Sequence, residues 1–184
     1  DGVMFKFKSE EDVKKYLHIC EKWSQRTKME LEHDFIKKII QKDVNNYIYV
    51  KEDGSIKSKG AYVKKLSLLD NDLPIVNKAI KEKLVNDVEI ETTINNCNKL
   101  MDFQKCVKIT GKYSHAVYGQ DKIKLKVLRV FASKSSSDKS IMKMKSDGKL
   151  EKISYTPDRI FIDNSNVKDK EIPDKLDKSW YISI

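Results

Sequence analysis

Apolar and polar residues alternate over residues 2–8, where Val3, Phe5 and Phe7 fall between Met4, Lys6 and Lys8. A period of two predicts a half-buried strand. The period then changes. Ser9 stands at an N-cap position, with Asp12 three residues later in the place of a capping box. Val13, Tyr16, Leu17, Cys20 and Trp23 follow at helical spacing, which predicts a helix laying one apolar stripe on a core. On that reading Cys20 and Trp23 are packing residues. "TKMELEHDF" alternates again at Leu31, His33 and Phe35 and predicts a strand returning beside the first, with His33 as a satisfied core histidine.

The next pattern is the sharpest in the chain. In "NNYIYVKEDGSIKSKGAYVKK" two β-rich runs flank Asp53-Gly54, the strongest short-range hairpin signal. The second arm sets Lys57 and Lys59 on one face and Ile56, Ser58 and Gly60 on the other. Paired lysines with a glycine that permits close backbone approach suit a phosphate backbone; they suit a solvated basic face as well. Beyond Lys65 the texture is mixed. Pro74 opens a predicted helix carrying Val76, Ala79, Ile80 and Leu84 on one face. "DVEIETTINNCNKLMDFQ" predicts a second helix, with Ile90, Ile94, Cys97 and Met101 on one side. "CVKIT", "IKLKVLRVFAS", "SIMKMK" and "RIFID" read as strands, separated in part by the loop chemistry of "SKSSSD" and "SDGK". Trp180 and Tyr181 near the end are expected to dock on the core. The class is therefore α+β, with a boundary near residue 64 between a β-rich segment (1–64) and a mixed helical and strand segment (65–184).

Charge narrows the partners. The 37 Lys+Arg against 28 Asp+Glu give a formal charge of +9, which favours an anionic partner, nucleic acid being the usual one. Only Arg26, Arg129 and Arg159 are arginine, so a lysine-rich compositional bias explains the same excess equally well. Cys20, Cys97 and Cys106 share no CxxC spacing, and His18, His33 and His115 stand apart from them. That excludes the common zinc-ligand patterns and fits a reducing compartment. No run reaches the roughly 18 to 20 apolar residues of a membrane helix.

"DGVMFKF", "QKDVNNYIYVKEDGSIKSKGAYVKK" and "TPDRIFIDNSNV" together resemble the C-terminal part of a phage-type, family B-like DNA polymerase. In that family a palm strand pair carries Thr-Asp-Gly or Asp-Thr-Asp-Ser at its turn, and Asp1-Gly2 matches the aspartate and the residue after it. A tyrosine motif and a hairpin ending in Lys-x-Lys-Gly match Tyr47 and Lys57-Ser58-Lys59-Gly60. The family's Lys-x-Tyr reads Asn45-Asn46-Tyr47 here, which leaves Lys42 as the nearest substitute for its lysine. The resemblance implies palm-type antiparallel strands with a packed helix and hairpin over 1–64, then a thumb-like region over 65–184.

It also implies roles. Asp1 is one of two catalytic palm aspartates that hold two magnesium ions, the second ligand set lying upstream of this chain, along with the region that binds deoxynucleotides. Such a pair of ions stabilises attacking and leaving oxygens of nucleotidyl transfer. The chain alone is then expected to be inactive. Lys57, Lys59 and Gly60 meet phosphates of primer-template DNA, Tyr47 meets the primer-terminal sugar or base, and Lys64 and Lys65 begin the surface that holds the duplex product. The expected setting is the cytoplasm of a bacterial or phage-infected host. A stand-alone basic domain that binds nucleic acid without chemistry is the alternative reading.

Overall fold

The computed structural model describes residues 3–67 and 72–184. Among these residues are four α-helices, a 3-10 turn and ten strands, with every strand pairing antiparallel, in three sheets. The α+β expectation holds.

Helix α1 spans Glu10–Thr27, and the Ser9 side chain accepts from the Asp12 N–H, as the N-cap signal predicts. Glu10, Glu11 and Asp12 in its first turn and Arg26 in its last complement the helix dipole. Its apolar stripe finds no core, because no residue of the helix is buried. Residues 3–8 form no strand. Instead the rings of Phe5 and Phe7 each pack 5.2 Å from Tyr16 of α1. Aromatic packing on a helix thus takes up the alternation that predicted a sheet. The expected strand through Leu31, His33 and Phe35 is likewise absent, and His33 is exposed, its Nδ1 3.2 Å from the Tyr16 hydroxyl. The strand begins later.

Strands β1 (Ile36–Asp43), β2 (Asn46–Lys51) and β3 (Ile56–Lys59) form one sheet in that order. Gly54 takes φ +80° in the β2–β3 turn, and the Ser55 N–H donates to Asp53 Oδ1, so the Asp-Gly signal is obeyed. Ile48, 1% exposed, marks the covered face of this sheet.

Helix α2 (Pro74–Asn86) starts at Pro74 as read, but its buried residues are Pro74, Ile75, Asn77 and Ala79, and Leu84 is exposed. The long second helix is broken into α3 (Ile90–Asn96) and a 3-10 turn over Leu100–Phe103. Extended backbone at Cys97 and Lys99 separates them and lets both Ile94 and Phe103 reach the core.

Strand β4 (Lys105–Lys108) pairs with β7 (Val127–Ala132), which pairs with β10 (Ile160–Ile162). A four-stranded sheet runs β6 (Asp121–Ile123), β5 (Tyr113–Tyr118), β8 (Ile141–Lys145) and β9 (Leu150–Lys152). "IKLKVLRVFAS" is therefore two strands in two sheets. Helix α4 (Lys178–Ser183) closes the chain, and Tyr181 docks as expected.

Strand β7 is buried on both faces. Phe131 and Ala132 join Ile75, Ile94, Phe103 and Tyr181 in one apolar cluster; Leu128 and Val130 join Val107, Ile141 and Ile160 in another. Two polar ties attach the β1–β3 sheet to α2. Lys38 Nζ donates to the Leu84 and Val85 carbonyls at 3.1 and 2.8 Å, completing the helix C-terminus. Asn77 Nδ2 donates to the Lys64 carbonyl at 3.0 Å.

Candidate nucleic-acid interface

The register of the first sheet fixes which side chains share a face. Ile39, Tyr49 and Lys57 are opposite one another across the three strands, as are Gln41, Tyr47 and Lys59. Directly opposed residues project on the same side of a sheet. The other face carries Lys38, Val50 and Ile56 in one row and Ile40, Ile48 and Ser58 in the next. That second face is covered around Ile48, which is buried, where the Ser58 hydroxyl donates to the Val63 carbonyl; at its other row Lys38 reaches α2 and Ile56 stays 47% exposed. The tyrosine–lysine face is consequently the open one. Lys57 and Lys59 are exposed there and the two tyrosines half-buried. The tyrosine rings stack with centroids 4.4 Å apart at 19°.

Expected site residues divide by position. Tyr47, Lys57 and Lys59 come together on the open face. Lys42 is exposed at the β1–β2 turn, beside Asp43, whose carboxylate accepts from the Asn45 N–H and the Asn46 amide. Those bonds, with Lys42 nearby, hold the Asp43 carboxyl below the usual carboxylate range. Asn45 and Asn46 thus serve the turn. Gly60 follows β3 with φ +133°, where a Cβ would stand 2.9 Å from Asn46 Oδ1. The close approach that requires glycine is therefore made by the protein's own Asn46. Lys64 is half-buried, and its carbonyl accepts from both Asn77 and Lys81. Lys65 is exposed.

Three further residues belong to this region. Tyr49 and Lys51 continue the alternation begun at Tyr47, a signal legible in "YIYVK". Asp34, just ahead of β1, lies 2.6 Å from Lys51 Nζ and 3.6 Å from Lys57 Nζ. The Lys51 hydrogen bond chiefly holds the Asp34 carboxyl below its ordinary range. No local pattern announces that contact, which joins residues 17 positions apart. At β3, an edge strand, lies a cleft of about 640 Å³, lined among others by Asp34, Lys51, Lys57, Lys65 and Lys81.

Asp1, the expected magnesium ligand, lies outside the described residues. Among the described residues, no three His, Cys, Asp or Glu side chains gather to hold a metal ion. Nor is any helix among them long and apolar enough to cross a membrane. The chain matches no known family model, no curated protein and no solved structure.

Proposed function

We propose that the chain binds primer-template DNA as the palm-end and thumb-like part of a DNA-directed DNA polymerase, through the open face of its β1–β3 sheet. One observation carries the reading: Lys57 and Lys59 share the exposed face with the stacked Tyr47–Tyr49 pair. Ammonium groups neutralise phosphates and release counterions, giving salt-dependent and sequence-tolerant affinity. Aromatic rings on the adjacent strand accept a sugar or a base, a contact worth about 1–3 kcal/mol per stacked base. The resemblance of "DGVMFKF" and the Lys-x-Lys-Gly hairpin to the polymerase family supplies the enzymatic half. Within it Asp1 takes the role of a metal-binding palm aspartate, acting with a second carboxylate on another segment to hold two magnesium ions.

The binding half is tested by titrating a fluorescent primer-template duplex with the 184-residue chain over a range of salt concentrations. Replacing both Lys57 and Lys59 by alanine is expected to weaken binding. The logarithmic salt slope should flatten by up to about 1.8, or about 0.9 for each lost phosphate contact. An unchanged slope removes this face from the interface. The polymerase half is tested on the gene. A reading frame that continues upstream of Asp1 into a nucleotide-binding region with a second aspartate motif supports the enzyme. A start codon immediately ahead supports the stand-alone binder. In a complete polymerase, changing Asp1 should abolish primer extension while leaving duplex affinity nearly intact.

A further inference from the structure

The cleft along the β3 edge is more basic than its ion pairs can balance. Lys51, Lys57, Lys65 and Lys81 line it, against the carboxylates of Asp34 and Glu32. Lys81 has the most telling environment. Its ammonium is half-buried, donates to the Lys64 carbonyl at 3.2 Å, and has no carboxylate partner among the described residues. Burial lowers its pKa and nothing nearby raises it. A partly desolvated cation facing a cleft is stabilised by an anion that enters. Meanwhile Asp34 holds Lys51 at 2.6 Å but touches Lys57 only at 3.6 Å, beyond a good hydrogen bond. Its second oxygen is the one that stands 3.6 Å from Lys57 Nζ, and both residues line the cleft.

We propose that this cleft is a phosphate-binding site, and that Asp34 is a built-in counter-ion occupying part of it until a phosphate displaces that carboxylate from Lys57. The cleft is continuous with the open face, since Lys57 belongs to both. A strand crossing the Tyr47–Tyr49 pair reaches the β3 edge and sets a phosphodiester against Lys57, Lys65 and Lys81. A volume of about 640 Å³ also admits a free nucleotide. The phosphodiester assignment rests on the proposed DNA-binding function; the phosphate site itself does not.

Asp34→Asn keeps an oxygen for Lys51 and removes the competing charge. In the intact chain this substitution is expected to tighten duplex binding about fivefold at low salt and steepen the salt slope by about 0.9. Glu10→Gln, an equal change of net charge on an exposed residue at the start of α1, gives the generic effect, which should be far smaller. Lys81→Gln should weaken binding and flatten the slope by about 0.9, with an unchanged melting temperature confirming an intact fold. A second arm titrates a labelled nucleoside triphosphate alone. Tightening by Asp34→Asn in the duplex arm assigns the site to a strand; tightening only in the triphosphate arm assigns it to a nucleotide. The latter, with no duplex binding by the unmodified chain, defeats the DNA-binding function and leaves the phosphate site standing. If Asp34→Asn merely tracks Glu10→Gln in both arms, no phosphate site exists here, whatever the Lys57 and Lys59 variant does.

Discussion

Gly60 illustrates how a residue-level reading reaches the right position for a different reason. Its glycine is forced by φ +133° and by the 2.9 Å approach that a Cβ would make to Asn46 Oδ1. Gly60→Ala is expected to cost about 2 kcal/mol, read as a lower midpoint in urea unfolding with an unchanged m-value. A midpoint within error of the parent's would mean that the turn relaxes freely. The face of Lys57 and Lys59 was legible in the sequence because a strand's period of two leaves no choice once the Asp53-Gly54 turn sets the register. Asp34 was not legible. Its contacts to Lys51 and Lys57 depend on how the segment ahead of β1 folds back, and no spacing rule encodes that path. Lys57 and Lys59 also guard the sheet, since lysine on an edge strand such as β3 discourages pairing with another chain.

At the scale of elements, signals that act within a few residues were reliable and signals that need a distant partner were not. Ser9 caps α1 and Pro74 opens α2 because both effects are local. Alternation at Val3, Phe5 and Phe7 predicted a strand, yet pairing needs a neighbour, and Tyr16 offers the two aromatic rings a surface of another kind. The strands β5 and β9 escaped notice because Ser114 and His115 interrupt the apolar positions of "YSHAVY" and "LEK" is only three residues long, and both lean on β8 for their register. The loop after β10 allows a test at this scale. Asp163 accepts from Lys170 Nζ at 2.6 Å and from the Ser165 hydroxyl and N–H, and these bonds hold its carboxyl at about 2. An unfolded aspartate titrates near roughly 3.9. A depressed carboxyl contributes stability above its unfolded value and loses it as the pH falls through the folded one. Lys170→Met should therefore lower stability at pH 7, and the gap from the parent should close between about pH 4 and pH 2. Thermal melts across that range decide it; a gap persisting at pH 2 would assign the loss to packing.

At the scale of the whole molecule, the part of the chain from Ile75 to Tyr181 is organised about β7, and α4 packs on its first cluster. The Tyr181 hydroxyl donates to the Phe103 carbonyl at 2.7 Å and accepts from the Ala132 N–H at 3.0 Å, tying the last helix to the 3-10 turn and to the central strand. Tyr181→Phe keeps the ring and strands both backbone groups, at an expected cost of about 2 kcal/mol in chemical denaturation. A neutral effect would show that these groups find other partners. The docking of Trp180 and Tyr181 was legible as two large aromatics at the chain end, whereas the double burial of β7 was hidden inside one long alternating run. Val130 and Phe131 are neighbours in the chain and look into opposite clusters. Each peptide between them is common property. Loosening either cluster pulls β7 out of line for the other, so the two are expected to melt in concert, with probes of either cluster reporting one coincident transition.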